Sequence, residues 1–422
     1  KASAPLMLSL DKCVGMLRQQ FPALARQHDG QPVVYFDGPA GTQVPQQVID
    51  AIGKYLARHS ANHGGLFSTS RESDAMLDNA HRAVADLLGA DDPACVYFGP
   101  NMTTLTFALS RALSKTWRPG DEVIVTRLDH DANVTPWVLA AEDAGATIRY
   151  VEFTPEDCTL DIEDFRAKLS DKTRLVAVGC ASNATGGINP VREICAAARE
   201  AGALSFLDAV HYAPHALIDV AEFGCDFLAC SAYKFFGPHV GIGWGRRELL
   251  ESLSAYKLRP APNDLPGKWM TGTQNHEGIA GVLAAVEYLA DLGRDVAADP
   301  TLDRRAALKS SYQAVGEYEQ ALVTRLLSGL QQNDNVRVWG ITDPSRFDER
   351  LPTVSFTHKR LGAAEIAERL GDAGIFVWHG NYYALQLTET LGLEPDGMVR
   401  IGLVHYNTED EVARLLQALH TL

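Results

Sequence analysis

A lysine at the end of a buried strand is the residue of this sequence with the clearest chemical potential. Lys234 lies between the apolar runs 226–231 and 240–244, which are predicted to be short buried strands. Burial disfavours the charged ammonium and lowers the pKa of a lysine, which exposes a nucleophilic amine suited to Schiff-base chemistry. The alternative is a lysine whose stem packs while its charged head reaches the surface.

An aspartate ends another predicted strand. Asp208 closes the apolar run 203–208, and in open parallel sheets ligand-binding residues collect at the carboxyl ends of the strands. A lysine and an aspartate at neighbouring strand ends are what pyridoxal 5'-phosphate requires. The lysine forms a Schiff base with its aldehyde, and the aspartate keeps its pyridine nitrogen protonated. Strand-end aspartates also bind metals and cap helices, so Asp208 alone does not decide between these roles.

Two further polar residues follow predicted strands. His130 comes after the run 123–126, and its flat imidazole could stack on a cofactor ring or cap a loop. Asn183 comes after the run 175–179, and its amide could donate to a ring hydroxyl or hold an Asn- and Gly-rich turn. The sequence leaves both alternatives open for each residue.

Two segments could bind an anion. The segment 99–104 precedes an apolar helix, whose first backbone N–H groups would form a natural phosphate site. A plain helix cap by Asn101 or Thr103 is equally consistent with these residue types. Arg400 lies in an apolar predicted strand, where a guanidinium needs an anionic partner. That partner is either a substrate carboxylate held by two hydrogen bonds or a carboxylate of the protein itself.

Strands and helices alternate over the first two-thirds of the chain. The helical pattern 191–202 is opened by Pro190 and closed by Gly202, the expected asymmetry of helix ends. This alternation predicts an α/β fold with a mostly parallel sheet covered on both faces. A dinucleotide-binding dehydrogenase is not supported, because no Gly-x-Gly-x-x-Gly follows the first strand. The predicted strands of this region are 123–126, 146–151, 175–179, 203–208 and 227–231.

The pattern changes after about residue 292, which predicts a second, smaller α/β domain. A polar stretch at 295–301 leads into a long helix over 302–330, and a capping box at Thr408 begins a last helix that buries Leu416 among other apolar residues. The other elements predicted there are strands 351–356 and 398–403 and a helix over 363–373. The predicted parts are an N-terminal segment packing on the small domain (1–33), a large cofactor-binding domain (34–295) and a small C-terminal domain (296–422).

The composition is that of a globular enzyme. Hydrophobic residues make up 46% and charged residues 22% of the 422 residues, and this length suggests two domains. The formal net charge of −15 disfavours nucleic acid and anionic membranes as partners. No apolar run approaches the roughly 20 residues of a membrane span, and the N-terminus lacks the pattern of a secretory signal.

The seven cysteines are scattered along the chain and include no Cys-x-x-Cys pair. This usage indicates a reducing compartment in which cysteines serve as small core residues. No metal site is predicted. We therefore expect a cytoplasmic protein.

The order of these segments resembles that of class V aminotransferases of the pyridoxal-phosphate fold type I, and it is most similar to the cysteine desulfurase group. The resemblance extends from about Val34 to the C-terminus. It implies a large domain with a mostly parallel, seven-stranded type of sheet, a smaller C-terminal α/β domain, and pyridoxal 5'-phosphate as the cofactor. The matching stretches are 35–45, 129–137, 182–183, 206–208, 231–234, 272–275 and 400–408.

The resemblance also implies a role for each candidate residue. Lys234 is similar to the lysine that forms the aldimine, Asp208 to the partner of the pyridine nitrogen, and His130 to the residue that stacks on the ring. These three are the predicted catalytic residues. The predicted substrate-binding residues are Asn183, Tyr383 and Arg400, and Arg400 matches the residue that binds the α-carboxylate. The other cofactor-contacting positions are Asn101, Met102, Thr103, Asn183, His211, Ser231, Tyr233 and Thr273.

Three of these positions have specific implications within the resemblance. Thr273 matches a residue that reaches the phosphate bound by the partner subunit, which implies a homodimer with shared sites. His211 stands where relatives usually carry glutamine, and it is expected to face the ring oxygen. Tyr233 stands where a histidine is usual.

One departure from the family affects the predicted reaction. Cysteine desulfurases take sulfur from the substrate onto a cysteine of a mobile loop, and Tyr383 falls at that position, while no cysteine follows Cys230. A phenol with a pKa near ~10 stays protonated and cannot accept sulfur as a thiolate does. A second arginine of the family's substrate loop is replaced by Trp378. Tyr382 and Tyr383 could act as acid or base, or form a wall of the pocket.

We therefore predict a pyridoxal-phosphate-dependent enzyme that acts on the α-amino group of an amino acid through an external aldimine. Lys234 is expected to remove the α-proton. The predicted outcome is a β-elimination of the cysteine desulfurase-like or C–S lyase type. Transamination and epimerisation are the alternatives, and a non-catalytic scaffold of the same fold is a further one.

Overall fold

Seven strands form the central sheet of the molecule, which a computed structural model describes over residues 9–422. In chain order they are β1 (Val96–Gly99), β2 (Glu122–Thr126), β3 (Thr147–Val151), β4 (Thr173–Gly179), β5 (Leu204–Asp208), β6 (Phe227–Ser231) and β7 (Gly241–Gly245). Across the sheet their order is β1-β7-β6-β5-β4-β2-β3, and only β7 runs antiparallel to its neighbours. The predicted α/β fold with a mostly parallel seven-stranded sheet is therefore confirmed.

The strands at the centre of this sheet are buried on both faces. Every residue of β6 and β7 is buried, as expected for strands with cover on both sides. The edge strand β3 instead alternates exposed and half-buried residues before ending in a buried valine. The carboxyl ends of β5 and β6 therefore present Asp208 and Ser231 from a rigid, dry framework.

Helices fill the connections between the strands. The longer ones are α1 (Gln46–Lys54), α2 (Ser68–Leu88), α3 (Met102–Ser114), α4 (Thr135–Ala144), α5 (Ile162–Lys168), α6 (Val191–Glu200), α7 (His276–Ala297), α8 (Arg304–Gln331), α9 (Ala363–Asp372) and α10 (Glu409–His420). Short helices also occur at Val14–Arg18, Val220–Phe223, Arg247–Ser252 and Leu385–Thr390.

Capping residues determine where two of these helices begin. The α3 helix starts at Met102, earlier than its apolar pattern indicates, because the Asn101 Oδ1 accepts a hydrogen bond from the Thr104 N–H at 2.8 Å. The capping box predicted at Thr408 is present and begins α10. Leu416, which we predicted to be buried by that helix, is only half-buried.

A second sheet of four strands lies in the C-terminal part of the chain. Its strands are β8 (Val336–Trp339), β9 (Thr353–His358), β10 (Trp378–Gly380) and β11 (Met398–Gly402). They pair antiparallel in the order β8-β9-β11-β10. The register places Arg400 of β11 opposite Ser355 on one side and Trp378 on the other.

Secondary-structure elements pair across or run through the two predicted domain boundaries, and the boundaries stay predictions. Val34–Tyr35, which we assigned to the large domain, pairs in parallel with Ile375–Phe376. Helix α7 runs through the predicted boundary at 295/296 and ends at Ala297. In the N-terminal segment, the Arg18 guanidinium forms an ion pair with Glu411 of α10 at 2.8 Å. The first eight residues of that predicted segment lie outside the described part of the chain.

Within residues 9–422, no helix combines the length and the apolarity that crossing a membrane requires. Over the same range, no three His, Cys, Asp or Glu side chains are grouped in a way that could hold a metal ion. All seven cysteines are unpaired, and all except Cys13 are buried.

Candidate active site

A cavity of about 530 Å³ opens where the carboxyl ends of the parallel strands face the four-stranded sheet. Twelve of the thirteen residues that we predicted for the site lie in its wall. They are Asn101, Met102, Thr103, His130, Asn183, Asp208, His211, Ser231, Tyr233, Lys234, Tyr383 and Arg400. The structure thus brings together residues from widely separated parts of the sequence.

Lys234 turns its amine into this cavity. It ends a short 3₁₀ turn that directly follows β6, and its Nζ donates to the carbonyl of Pro39 while lying 4.8 Å from the centroid of the Tyr233 ring. The pKa of Lys234 is lowered to about 7, chiefly by burial and also by the nearby Arg400, while Asp208 opposes the shift. Near neutral pH a large fraction of Lys234 is therefore a neutral, nucleophilic amine.

Two buried carboxyl groups lie below the lysine. Asp208 accepts a hydrogen bond from the Val210 N–H at 2.9 Å, and burial raises its pKa to about 6. Asp129 accepts the Gly179 N–H at 3.0 Å, and burial together with the charge of Asp208 raises the pKa of Asp129 to about 8. Because two such close groups titrate as a pair, a proton on Asp129 leaves Asp208 ionised and able to pair with a cationic ring nitrogen.

His130 takes one of the two roles that the sequence left open, because it caps a loop, and its stacking on a cofactor ring stays a prediction. Its Nδ1 accepts the Ala132 N–H at 3.0 Å and so caps a short turn. Its ring is also stacked on that of Tyr383, with centroids 5.4 Å apart and planes at 22°. The pKa of His130 is lowered to about 4, chiefly by burial and also by the charges of Lys234 and Arg400. A neutral imidazole therefore forms one wall of the cavity.

The start of α3 forms the part of the cavity suited to a phosphate. The Ser231 hydroxyl accepts the Met102 N–H at 3.0 Å, and Thr103 lines the cavity at the first turn of the helix, where N–H groups attract anions. A Cβ atom at Gly241 would lie 2.4 Å from the carbonyl carbon of Asn101. Glycine is therefore required for β7 to hold this turn in place.

Arg400 is a buried cation that forms no ion pair with any residue of the range 9–422. Its Nη1 donates to the Asn183 carbonyl at 2.9 Å, its guanidinium lies 4.2 Å from the Tyr382 ring centroid, and its Nε is buried without a hydrogen-bond partner. In the part of the chain that the structure describes, no carboxylate forms an ion pair with it. A direct ion pair is therefore not formed within residues 9–422. Burial lowers the pKa of Arg400, although the charge of the buried Asp37 opposes this shift and raises that pKa. The free hydrogen-bonding capacity of the guanidinium is suited to a ligand carboxylate.

Asn183 and His211 complete the polar wall. The Asn183 Nδ2 donates to the Tyr382 carbonyl at 2.9 Å, while its buried Oδ1 has no partner. The His211 Nε2 lies 3.0 Å from the Thr353 hydroxyl, and burial lowers the pKa of His211 well below its usual value. Both side chains thus remain neutral hydrogen-bonding groups at the cavity.

The segment at the predicted cysteine position holds two tyrosines in left-handed backbone conformations. Tyr382 has a φ of 55° and Tyr383 a φ of 60°. The Asp131 N–H donates to the Tyr383 carbonyl at 2.7 Å, which fixes the segment against the His130 loop. None of the seven cysteines lines the cavity.

One predicted residue lies elsewhere. Thr273 is exposed and lines a separate cavity of about 400 Å³ together with His239 and Lys268. It does not reach the Lys234 cavity of its own chain.

Sequence reasoning did not single out three groups of this site. Two of them line the cavity, the Asp129 carboxyl and the Pro39 carbonyl that accepts from Lys234. The third, Asp37, does not line it but interacts electrostatically with Arg400; burial raises the pKa of Asp37 to about 6, and its buried Oδ1 has no partner within residues 9–422. Their positions in the sequence could have indicated these three groups. Asp37 and Pro39 lie within the stretch 35–45 and Asp129 directly precedes His130.

The residues around the cavity match the chemical needs of pyridoxal 5'-phosphate. Lys234 offers an amine for the aldehyde, and Asp208 offers a carboxylate for the ring nitrogen. The first turn of α3 faces the cavity with Thr103 and the Ser231 hydroxyl and would hold the phosphate, although its Met102 and Thr104 N–H groups already donate to Ser231 and Asn101. The buried Oδ1 of Asn183 lacks a partner that a ligand could supply.

Comparison with known proteins identifies the family. The model of the aminotransferase class-V family matches residues 34–415. The chain is 34% identical to the aminotransferase-like protein FGM3 of Gibberella zeae, over 96% of both proteins. It is 30% identical to a cysteine desulfurase of Serratia proteamaculans, over 96% of this chain and 97% of that protein.

Solved structures agree with this relationship. The cysteine desulfurase of Thermococcus onnurineus NA1 superposes with a TM-score of 0.85 at 25% identity, covering 96% of this chain and 97% of that one. The cysteine desulfurase CsdA of Escherichia coli gives a TM-score of 0.83 at 25% identity, covering 97% and 98%. The chain therefore belongs to the class-V aminotransferase family of pyridoxal-phosphate-dependent enzymes.

Proposed function

We propose that this enzyme catalyses a β-elimination of the C–S lyase type on an α-amino acid. The observation that carries the proposal is one cavity with three properties within residues 9–422: a Lys234 amine that is partly neutral near pH 7, an Arg400 guanidinium that forms no ion pair, and no thiol in the lining. The first two suit an amino acid, and the third argues against transfer of sulfur to the enzyme. Relatives named as cysteine desulfurases support chemistry at a C–S bond.

The residues of the cavity have distinct tasks in this proposal. Arg400 binds the α-carboxylate and so orients the Cα–H bond toward Lys234, whose amine takes the proton. The carboxylate of Asp208 holds a proton at the ring nitrogen, and the neutral His130 covers the face of the ring. When bound, the cofactor supplies an electron sink for the charge that develops at Cα.

The proposed β-elimination needs no sulfur acceptor on the protein, because all atoms of the substrate leave in its products. For a substrate with the group R–S on Cβ, the C–S bond breaks, the thiol R–SH leaves, and water converts the remainder to pyruvate and ammonium. Transamination is a second candidate, because FGM3 is described as aminotransferase-like. It would use the same Arg400 to bind the α-carboxylate and the same Lys234 to take the α-proton.

The products distinguish these reactions. With the holoenzyme and a panel of S-substituted cysteines, we expect pyruvate, ammonium and thiol in equal amounts. L-Cysteine is a useful member of the panel, since sulfide with pyruvate supports elimination. Sulfide released with alanine would contradict the proposal, because that product requires a sulfur acceptor. A keto acid that retains the substrate's side chain would favour transamination.

Cofactor uptake is expected to depend on pH through Lys234. Below pH 7 the ammonium predominates and cannot attack the cofactor aldehyde, whereas above it the free amine can. The rate at which apo-enzyme gains the absorbance of bound cofactor should therefore rise with a midpoint near pH 7, the pKa of Lys234, rather than near ~10.4. The Lys234→Ala variant serves as the control and should show no such phase. A midpoint above about pH 9 would contradict the proposed state of the lysine.

We also propose a homodimer whose sites are shared and a cytoplasmic location. Thr273 is exposed beside the second cavity, and Tyr256 and Leu258 expose 54% and 70% of their surface nearby in the sequence. Such exposed apolar side chains support contact with another copy. The seven unpaired cysteines support a reducing compartment.

A further inference from the structure

The mouth of the Lys234 cavity is lined by exposed aromatic side chains. Trp378 is 50% exposed and Tyr383 is 71% exposed, and both line the cavity. Large apolar side chains left in water around a concave site mark the surface that a ligand covers. The segment 378–383 thus forms an aromatic mouth above the polar floor of the site.

The strand register fixes Trp378 beside the carboxylate-binding group. Trp378 of β10 is directly opposite Arg400 of β11, so both side chains project from the same face of the sheet with Cβ atoms roughly 4.5–5.5 Å apart. A substrate whose carboxylate binds Arg400 therefore has the indole within reach of the rest of the molecule. In the family pattern a second arginine stands where this tryptophan does.

The second aromatic ring of the mouth is held in place by the backbone. Tyr383 adopts a φ of 60°, its N–H donates to the Asn381 Oδ1 at 3.1 Å, and its carbonyl accepts the Asp131 N–H. Its ring is stacked on His130. A bulky residue kept in a left-handed conformation with its ring largely in water is not explained by packing, and such strain is typical of ligand sites.

Among the described residues, no carboxylate, ammonium or guanidinium lines the mouth, and the Glu394 carboxylate next to it already accepts the Asn381 Nδ2–H at 3.0 Å. Beyond the two aromatic residues and Tyr382, the lining of the mouth consists of His379, Gly380, Asn381 and Pro395, none of which is an acid, a lysine or an arginine. A charged side chain entering there would lose water without gaining a counter-ion. An aromatic ring would instead gain apolar contact and stacking.

We propose that this site selects α-amino acids whose side chain carries an aromatic ring beyond Cβ. The inference rests on the proposed function for the amino-acid class and adds the class of side chain. Within the C–S lyase reaction, the preferred substrates are S-aryl cysteines, whose arylthiol is released with pyruvate and ammonium.

The test compares four substrates that differ only in the group on sulfur. These are S-phenyl-, S-methyl-, S-(2-aminoethyl)- and S-carboxymethyl-L-cysteine, and pyruvate formation by the holoenzyme gives kcat/KM for each. We expect the phenyl compound to exceed the other three about 10-fold or more, within the range that pocket contacts achieve. Trp378→Ala and Tyr383→Ala should each lower kcat/KM for the phenyl compound by a larger factor than for the methyl compound, and so remove most of that preference.

Further variants distinguish loss of an aromatic ring from general disruption of the site. Tyr383→Phe keeps the ring and should keep the preference for the phenyl compound. Leu139→Ala, which removes an exposed side chain of α4, should leave kcat/KM for the phenyl and methyl compounds unchanged. Trp378→Arg should move the preference toward the carboxymethyl compound. Equal kcat/KM for the four substrates, a preference for a charged one, or an equal loss for all of them in Tyr383→Ala would overturn the inference.

A binding measurement tests the preference for an aromatic side chain independently of the proposed β-elimination. The absorbance change of the holoenzyme on adding L-phenylalanine or L-alanine reports binding without elimination. Tighter binding of L-phenylalanine, lost in Trp378→Ala, supports the inference even if no substrate yields pyruvate, a result that would count against the lyase reaction alone. Equal binding of the two amino acids would overturn the inference even if pyruvate forms.

Discussion

Replacing Lys234 by alanine is expected to abolish covalent attachment of the cofactor and to lower kcat about 10²–10⁴-fold, the usual contribution of a positioned acid–base group. The loss follows from the amine itself, because Lys234 is the lysine of the cavity and burial holds its pKa at about 7. The measurement is the absorbance of the purified protein with added pyridoxal 5'-phosphate, together with turnover.

Two further variants isolate the role of the amine. Lys234→Arg keeps a positive charge but lacks a nucleophile, so it should resemble Lys234→Ala. Lys309→Ala removes an exposed lysine of α8 and should behave like the unmodified protein. An alanine variant that keeps both the cofactor band and turnover would show that Lys234 is not the cofactor lysine.

Replacing Arg400 by glutamine is expected to lower kcat/KM about 100-fold or more without destabilising the fold. Charge-assisted hydrogen bonds to a carboxylate contribute about 1.5–3 kcal/mol each, and these are lost with the guanidinium. A structural salt bridge would instead make its removal cost about 3–5 kcal/mol of folding free energy. Since Arg400 has no carboxylate partner among the described residues and its Nε is unpaired, the free energy of unfolding in urea should stay within about 1 kcal/mol.

Arg350 provides a matched control for that experiment. It is also buried, but its guanidinium donates to backbone carbonyls, including those of Thr185 at 3.1 Å and Leu351 at 3.3 Å. Arg350→Gln leaves buried carbonyls without donors, so it should reduce the free energy of unfolding by more than Arg400→Gln does. The account would be contradicted if Arg400→Gln proved the more destabilising of the two while binding substrate normally.

Much of the fold could be predicted because its strands are short apolar runs with clear ends. The run 227–231 is a strand with the predicted bounds, and 203–208 differs by one residue. The family match also confirms the predicted cofactor and the predicted class of enzyme. The start of α3 was harder to predict, because a polar cap at Asn101 rather than apolar periodicity sets it.

The sequence allowed us to predict which residues form the site, but not how they contact one another. Strand-end positions and the resemblance together indicated Lys234 and Asp208, whereas the pairing of Asp129 with Asp208 depends on a register between distant segments. The choice between a salt bridge and a free guanidinium at Arg400 could not be made from the sequence. It depends on which side chains approach from β9, β10 and the 182–183 loop.

The tyrosine pair shows a third limit of sequence reasoning. The absence of a cysteine at 383 was visible in the sequence, but the left-handed backbone and the stacking on His130 were not. These contacts arise because the segment is held by Asn183 and Asp131, which come from other loops. The aromatic mouth is therefore a property of the folded molecule.

The central claim, that Lys234 holds the cofactor at a site built for an amino acid, is tested most directly by trapping the bound cofactor. Reduction of the holoenzyme with borohydride makes the link permanent, and mass spectrometry of its peptides then locates the modified lysine. We expect one pyridoxyl-phosphate adduct per chain, on the peptide that contains Lys234, and its loss when a carboxylate-bearing amine substrate is added before reduction. An adduct on a different lysine, or none in protein saturated with cofactor, would contradict the account.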